Sequence, residues 1–205
     1  GCDFSNGIGD NFNQDEIVFI SHSLGSRIVI DGLTRIVSLL ERPDQKTILN
    51  TIDRKKREAL QKKHIHIFML SNQLPMLQLG KELPEITGKK ADFCNVDGSK
   101  YRSRLFAETS IVAFSDPNDL LSYAIPQDFT EQYLDSRLCI NVTNININVA
   151  SVFEAFGMGK IANPIEAHVG YSRDDRVVAL IAEGIGNGHT APIVKDRCEW
   201  TEITD

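Results

Sequence analysis

The sequence predicts an α/β fold in three layers, a mostly parallel sheet with helices on both faces. Three observations carry that expectation. Apolar or alternating runs of strand length recur at 16–21, 64–70, 110–115 and 140–149. Stretches with helical spacing lie between and after them. The first run also passes directly into a helical stretch through Ser21-His22-Ser23-Leu24-Gly25, a strand, a sharp turn and a helix in succession. Strands that alternate with helices favour a parallel sheet covered on both sides. Residues 1–205 are read as one domain with a substantial core.

Each element has its own justification. Gly1 to Gln14 is rich in Gly and Asn and reads as loop. Ile17 to Ile20 is continuously apolar and forms the first strand. From Ser26 to Glu41 the apolar residues Ile28, Val29, Ile30, Leu33, Ile36, Val37, Leu39 and Leu40 are broken by Arg27, Asp31, Arg35 and Glu41 at helical intervals. Pro43 ends that helix. Gly32 inside it costs about 1 kcal/mol against Ala and is read as a mark of close packing on the strand. Residues 44–63 are highly charged, as expected of a solvated helix face.

His64 to Leu70 alternates and then turns apolar, giving the second strand. Leu74, Met76, Leu77 and Leu79 follow and are read as core, with the lining of an acyl pocket as the alternative. Residues 80–105 carry Gly80, Pro84, Gly88 and Gly98 among charges and read as a long irregular connection. Ser110 to Ser115 is the third strand. Cys139 to Val149 alternates from Ile140 and is read as a strand with asparagines on one face and apolar residues on the other. Residues 150–167 read as a connection. A helix over Arg173 to Gly184, with Val177, Val178, Leu180 and Ile181 at helical spacing, closes the domain.

The turn at Ser23 resembles the nucleophile elbow of the α/β-hydrolases, Gly-x-Ser-x-Gly, with Ser21 in place of the first glycine and Gly25 in place of the second. Small residues are needed at both positions because strand and helix pass close beside a strained turn. By itself the local motif is also compatible with Ser23 capping the following helix. The resemblance covers nearly the whole chain but only the later half of the family fold. In that family several strands and a loop precede the elbow, and that loop gives an oxyanion donor. Only about twenty residues precede Ser23, so the chain reads as the C-terminal part of such a domain, lacking the N-terminal strands, either a fragment or part of a longer chain.

The resemblance implies an acid and a histidine, in that order, at later strand ends. Asp116-Pro117-Asn118-Asp119 follows the third strand, and Asp119 is the expected acid. Asp116 is the alternative, and a turn or helix cap is the structural reading of either. His168 lies after the last strand and before the closing helix, where the family order places the base. His189 is its rival. His64 and His66 lie on a strand and read as packing or surface residues, and His22 is expected to point away from the Ser23 hydroxyl.

Ser23, Asp119 and His168 are therefore the expected catalytic set, with the Leu24 N–H as one oxyanion donor. The implied activity is serine hydrolysis of a carboxylic ester, thioester or lipid, of the esterase or lipase kind, and the implied partner is a small-molecule or lipid acyl substrate. A non-catalytic binding or scaffold protein of the same fold is the competing expectation.

Composition limits the alternatives. A net charge of −6 argues against general nucleic-acid binding. No apolar run approaches the roughly 20 residues of a membrane helix. No metal or organic cofactor is expected, since neither a Cys/His ligand cluster nor a phosphate-binding loop with its lysine is present. The four cysteines, Cys2, Cys94, Cys139 and Cys198, lack metal spacing and are read as unpaired thiols, with two bridges as the alternative. A cytoplasmic location is slightly favoured. Gly1-Cys2 leaves an envelope lipoprotein as the alternative if a signal peptide precedes it. Nothing in the sequence fixes an oligomeric state.

Overall fold

A computed structural model describes residues 17–41, 54–150, 152–154, 160–184, 191–196 and 201–204. The expectations for Gly1 to Gln14, Cys2, Pro43, residues 44–53, His189 and Cys198 lie outside the described residues.

The four expected strands are present as β1 (Ile17–His22), β2 (His64–Leu70), β3 (Glu108–Ser115) and β4 (Ile140–Ile147). They lie side by side in that order and all run parallel. Successive neighbours joined by right-handed crossovers must send every connection over the same face, and the packing follows. Helix α1 (Gly25–Glu41) places Ile30, Leu33 and Val37 on Ile65, Ile67 and Met69 of β2 and on Ile111 and Ala113 of β3. Helix α2 (Arg54–Leu60) falls in the charged stretch. The connection from β2 to β3 contains only the short helices α3 (Leu74–Leu77) and α4 (Lys90–Cys94) and a 3-10 turn at Tyr101–Ser103. Between β3 and β4, α5 (Phe129–Tyr133) adds Phe129 to the same core.

After β4 the chain passes to the other face. There α6 (Pro164–Val169), α7 (Asp175–Glu183) and α8 (Pro192–Asp196) follow in order. Val177 and Leu180 of α7 and Val194 of α8 cover Phe68, Leu70, Val112, Phe114, Ile145 and Ile147. Two apolar cores therefore sandwich one sheet, which is the three-layer arrangement expected.

Five expectations need correction, the simplest being Leu79, which is exposed and not core. The alternation of β4 changes phase at Thr143-Asn144: Ile140 belongs to the α1 core, with Val142 packed against it, whereas Ile145 and Ile147 belong to the α7 core. Asn144 accordingly is buried, and its amide exchanges both hydrogen bonds with the backbone of Ile125, at 2.7 and 3.0 Å. That pairing removes the cost of a polar group in the interior.

Residues 150–167 are more than a connection, since β5 (Val152–Glu154) and β6 (Lys160–Ala162) form an antiparallel pair before α6. A further strand, β7 (Thr201–Thr204), adds antiparallel to β4. Gly32 marks no close packing, because it is exposed and a Cβ there would meet nothing within 4 Å.

The last correction concerns the thiols. Cys94 at the end of α4 and Cys139 just before β4 form a disulfide with a Cα–Cα distance of 5.5 Å. The 45-residue separation places the two sulfurs together only through the fold of the long connection, which no spacing pattern reveals. Nearby, the buried Arg137 donates to Asp135, Glu41 and Ser38, tying the end of α1 to the 3-10 turn at Ser136–Leu138. A buried guanidinium is tolerable only when its donors are taken up in this way.

Candidate active site

In a parallel sheet every strand ends at the same edge, and loops from successive strands meet there. Three such loops build the site. Ser23 follows β1 with φ at +55°, and Ser71 follows β2 with φ at +49°. The two serines are neighbours in register, since His22 pairs with Leu70 and the Ser23 N–H donates to the Leu70 carbonyl at 2.9 Å. Non-glycine residues at positive φ store strain of order 1–3 kcal/mol and persist only where their surroundings hold them.

At the Ser23 turn the demand for small neighbours is visible. A Cβ on Gly25 would lie 3.3 Å from Cβ of Ser21, so strand end and helix start leave no room for a larger pair. Ser21 is buried, and its hydroxyl donates to the Phe68 carbonyl at 3.3 Å. Ser23 itself is partly exposed. The carbonyls of Ser23 and Leu24 accept the first bonds of α1, while the Leu24 N–H has no acceptor among the described residues.

The loop after β3 holds the two expected acids in different roles. Asp116 is turned inward and accepts from the backbone N–H of Asn118 at 2.7 Å and of Val149 at 2.7 Å, from Ala150 N–H at 3.3 Å, and from the Asn118 amide at 3.0 Å. Those bonds fasten the ends of β3 and β4 together and leave Asp116 without contact to His168. Asp119, also buried, points the other way. Both of its oxygens lie 3.1 Å from Nδ1 of His168. Its Oδ1 also accepts from the Leu121 N–H at 3.0 Å, and its Oδ2 accepts from the Ser71 hydroxyl at 2.6 Å.

His168 sits in the last turn of α6, with 22% of its side chain exposed. The structure thus brings Asp119 and His168 together. No hydrogen bond joins the Ser23 hydroxyl to His168, and none engages His168 Nε2, among the described residues. The remaining histidines on β2, His64 and His66, stand at the opposite end of that strand.

Two residues at the site were missed by sequence reasoning. His22 belongs to it: its Nε2 donates to the His168 carbonyl at 2.8 Å, and the two rings meet edge to face at 5.2 Å. Its position next to Ser23 was the signal, since the residue before an elbow serine shares its strand end. Ser71 carried no motif at all. Its hydroxyl lies 2.9 Å from His168 Nδ1, yet its full burial and its use of the same ring nitrogen as Asp119 rule it out as the attacking group. A nucleophile must be reachable and must face the nitrogen opposite the acid. Below the site Tyr171 is completely buried, and burial raises its hydroxyl pKa far above the usual tyrosine value. It stays neutral and donates to Ser122 at 3.4 Å.

An open cleft of about 370 Å³ adjoins His168 and Asp119 and is otherwise lined by Leu120, Leu121, Pro164 and Ile165. Its apolar walls suit a hydrocarbon group beside the imidazole. Among the described residues no cluster of three or more possible metal ligands occurs, and no helix is long and apolar enough to cross a membrane. Compared with known proteins, the chain matches no family model, no curated protein and no solved structure.

Proposed function

We propose that the protein is a serine hydrolase of the α/β-hydrolase kind, cleaving a carboxylic ester, thioester or lipid through an acyl-enzyme on Ser23. The observation that carries the reading is the Asp119–His168 pair, held at the strand edge where a serine in a strained turn follows β1.

In this mechanism the Ser23 hydroxyl attacks the carbonyl carbon, and its proton passes to His168 Nε2. Asp119 holds the ring with Nδ1–H toward the carboxylate and stabilises the imidazolium that forms. In this reading the Leu24 N–H stabilises the oxyanion. His168 then gives its proton to the leaving group. A water, deprotonated by the same nitrogen, releases the acid and restores Ser23. The apolar cleft beside His168 favours a substrate with a hydrocarbon acyl or alcohol part.

A second reading, a non-catalytic binding or scaffold protein of this fold, is favoured by the absence of a Ser23–His168 hydrogen bond among the described residues. Catalytic bonds are often long without substrate and tighten in the complex. A fluorophosphonate probe and a short activated ester separate the two readings. The hydrolase reading expects labelling at Ser23, and loss of both labelling and turnover in Ser23→Ala by about 10⁴-fold or more. Folded protein without labelling or turnover would leave the binding reading.

A further inference from the structure

We propose that Ser71 is a positioning residue for the Asp119–His168 pair, its buried hydroxyl holding the carboxylate against Nδ1 and moderating the pull of that carboxylate on the imidazolium. The kinetic half of this inference rests on the hydrolase reading, whereas the positioning half rests on geometry alone.

The Ser71 oxygen stands 2.6 Å from Asp119 Oδ2 and 2.9 Å from His168 Nδ1. An ionised carboxylate can only accept, so the hydroxyl hydrogen belongs on the 2.6 Å contact. The serine lone pair then faces Nδ1, as do both Asp119 oxygens at 3.1 Å. Three acceptor atoms converge on one ring nitrogen, and only Nδ1–H satisfies them. Turning the serine hydrogen toward Nδ1 instead would leave a carboxylate facing a bare nitrogen. The assignment follows from the bonding network, and it leaves Nε2 unprotonated, as a base requires.

The placement of Ser71 is rigid. It is fully buried, held at positive φ, and followed by Asn72, whose N–H donates to Phe114 at 2.9 Å and whose amide donates to Tyr123 at 2.6 Å. Strand β2 thereby supplies a fixed point between the loop bearing the acid and the helix bearing the base. Its hydroxyl also withdraws charge from the carboxylate. The titratable groups around the imidazole are Asp119 from the β3 loop, His22 from β1 and, behind His22, the neutral Tyr171. On its own helix Glu166 stands two residues earlier. Of these, only Asp119 hydrogen-bonds Nδ1, so its charge is the one Ser71 can tune.

The test compares wild type, Ser71→Ala and Ser71→Gly in the full chain. Both variants remove the hydroxyl, while Gly also removes the backbone strain. Nitrogen-15 NMR of the histidine rings should show the neutral His168 of wild type with its proton on Nδ1. In both variants the Nδ1–H resonance should move, because Nδ1–H loses one of its three acceptors and the carboxylate loses its serine donor. kcat on an activated ester should fall about 10- to 100-fold, with KM changed less than about threefold.

Lower stability with an unmoved Nδ1–H resonance and unmoved kcat would make Ser71 merely structural and overturn the proposal. Recovery in Ser71→Gly of what Ser71→Ala loses would also overturn it, by assigning the effect to the backbone. If wild type shows no turnover but the Nδ1–H resonance moves in both variants, the positioning stands and the hydrolase reading falls.

Discussion

Both carboxylate oxygens of Asp119 lie 3.1 Å from Nδ1 of His168, whereas Asp116, three residues earlier on the same loop, makes no contact with that ring. The two acids should therefore fail in different ways. Asp119→Asn keeps the shape but presents an amide to Nδ1, and should lower kcat by about 10⁴-fold while the urea midpoint changes little. Asp116→Ala strips an acceptor from three backbone N–H groups and should cost about 2–4 kcal/mol of stability. Its activity per folded molecule should stay near wild type. Turnover normalised to the folded fraction checks both.

The contact between Gly25 and Ser21 is open to a double-mutant cycle. Gly25→Val forces branched atoms toward a Cβ that would already stand at 3.3 Å, and should destabilise by about 1–3 kcal/mol. Removing the Ser21 Cβ with Ser21→Gly should relieve part of that penalty. A coupling energy of about 0.5 kcal/mol or more, measured by denaturant unfolding, is expected.

Acid should unfold the protein partly through Asp174. Burial alone would raise the pKa of this carboxyl, but the Arg176 guanidinium, bonded to it at 2.6 and 3.0 Å, holds it below the usual aspartate range. A depressed folded pKa stabilises above the unfolded value and loses that contribution as pH falls through the folded one. Asp174→Asn should therefore flatten the fall in stability below about pH 4, near the ordinary aspartate pKa. Urea melts at descending pH give the slope.

The Cys94–Cys139 bridge closes a loop with a sequence separation of 45. A chain-entropy account assigns a bridge of that span about 4 kcal/mol. Cys94→Ala with Cys139→Ala should lower the melting temperature accordingly. Neither cysteine touches Ser23, Asp119 or His168, so the turnover of folded molecules should be preserved. Equal melting of the variant and wild type would remove the bridge as a stabilising element.

Much of the fold was legible because local pattern and tertiary environment agree. Ile17 to Ile20 leading into Ser23 and Gly25, and the helical spacing from Ile30 to Val37, dictate β1, the turn and α1. Legibility failed where one residue answered to a distant partner. Asn144 is grouped with the other strand asparagines on a face of their own because its amide is satisfied by Ile125, nineteen positions away. That bond lets the apolar phase of β4 change sides. Cys94 looked unpaired for the same reason. At the site, the approach of Asp119 to His168 follows from strand-end geometry, which sequence order encodes. Ser71 and His22 act through hydrogen bonds with His168, 97 and 146 residues further on, and such contacts leave no periodicity to read.

The ladder between β1 and β2 has a consequence for mutational tolerance. Slipping a strand by one residue turns each side chain to the other face, and β1 has little burial to resist this, with Ile17, Val18 and Ile20 all substantially exposed. Its phase is pinned at the other end, by Phe19 against the α1 core, buried Ser21, and the Ser23 N–H on Leu70. The turn that displays the candidate nucleophile is therefore also the clasp that keeps its strand in step. Changes made there to alter chemistry will be felt as errors of alignment along the ladder between β1 and β2.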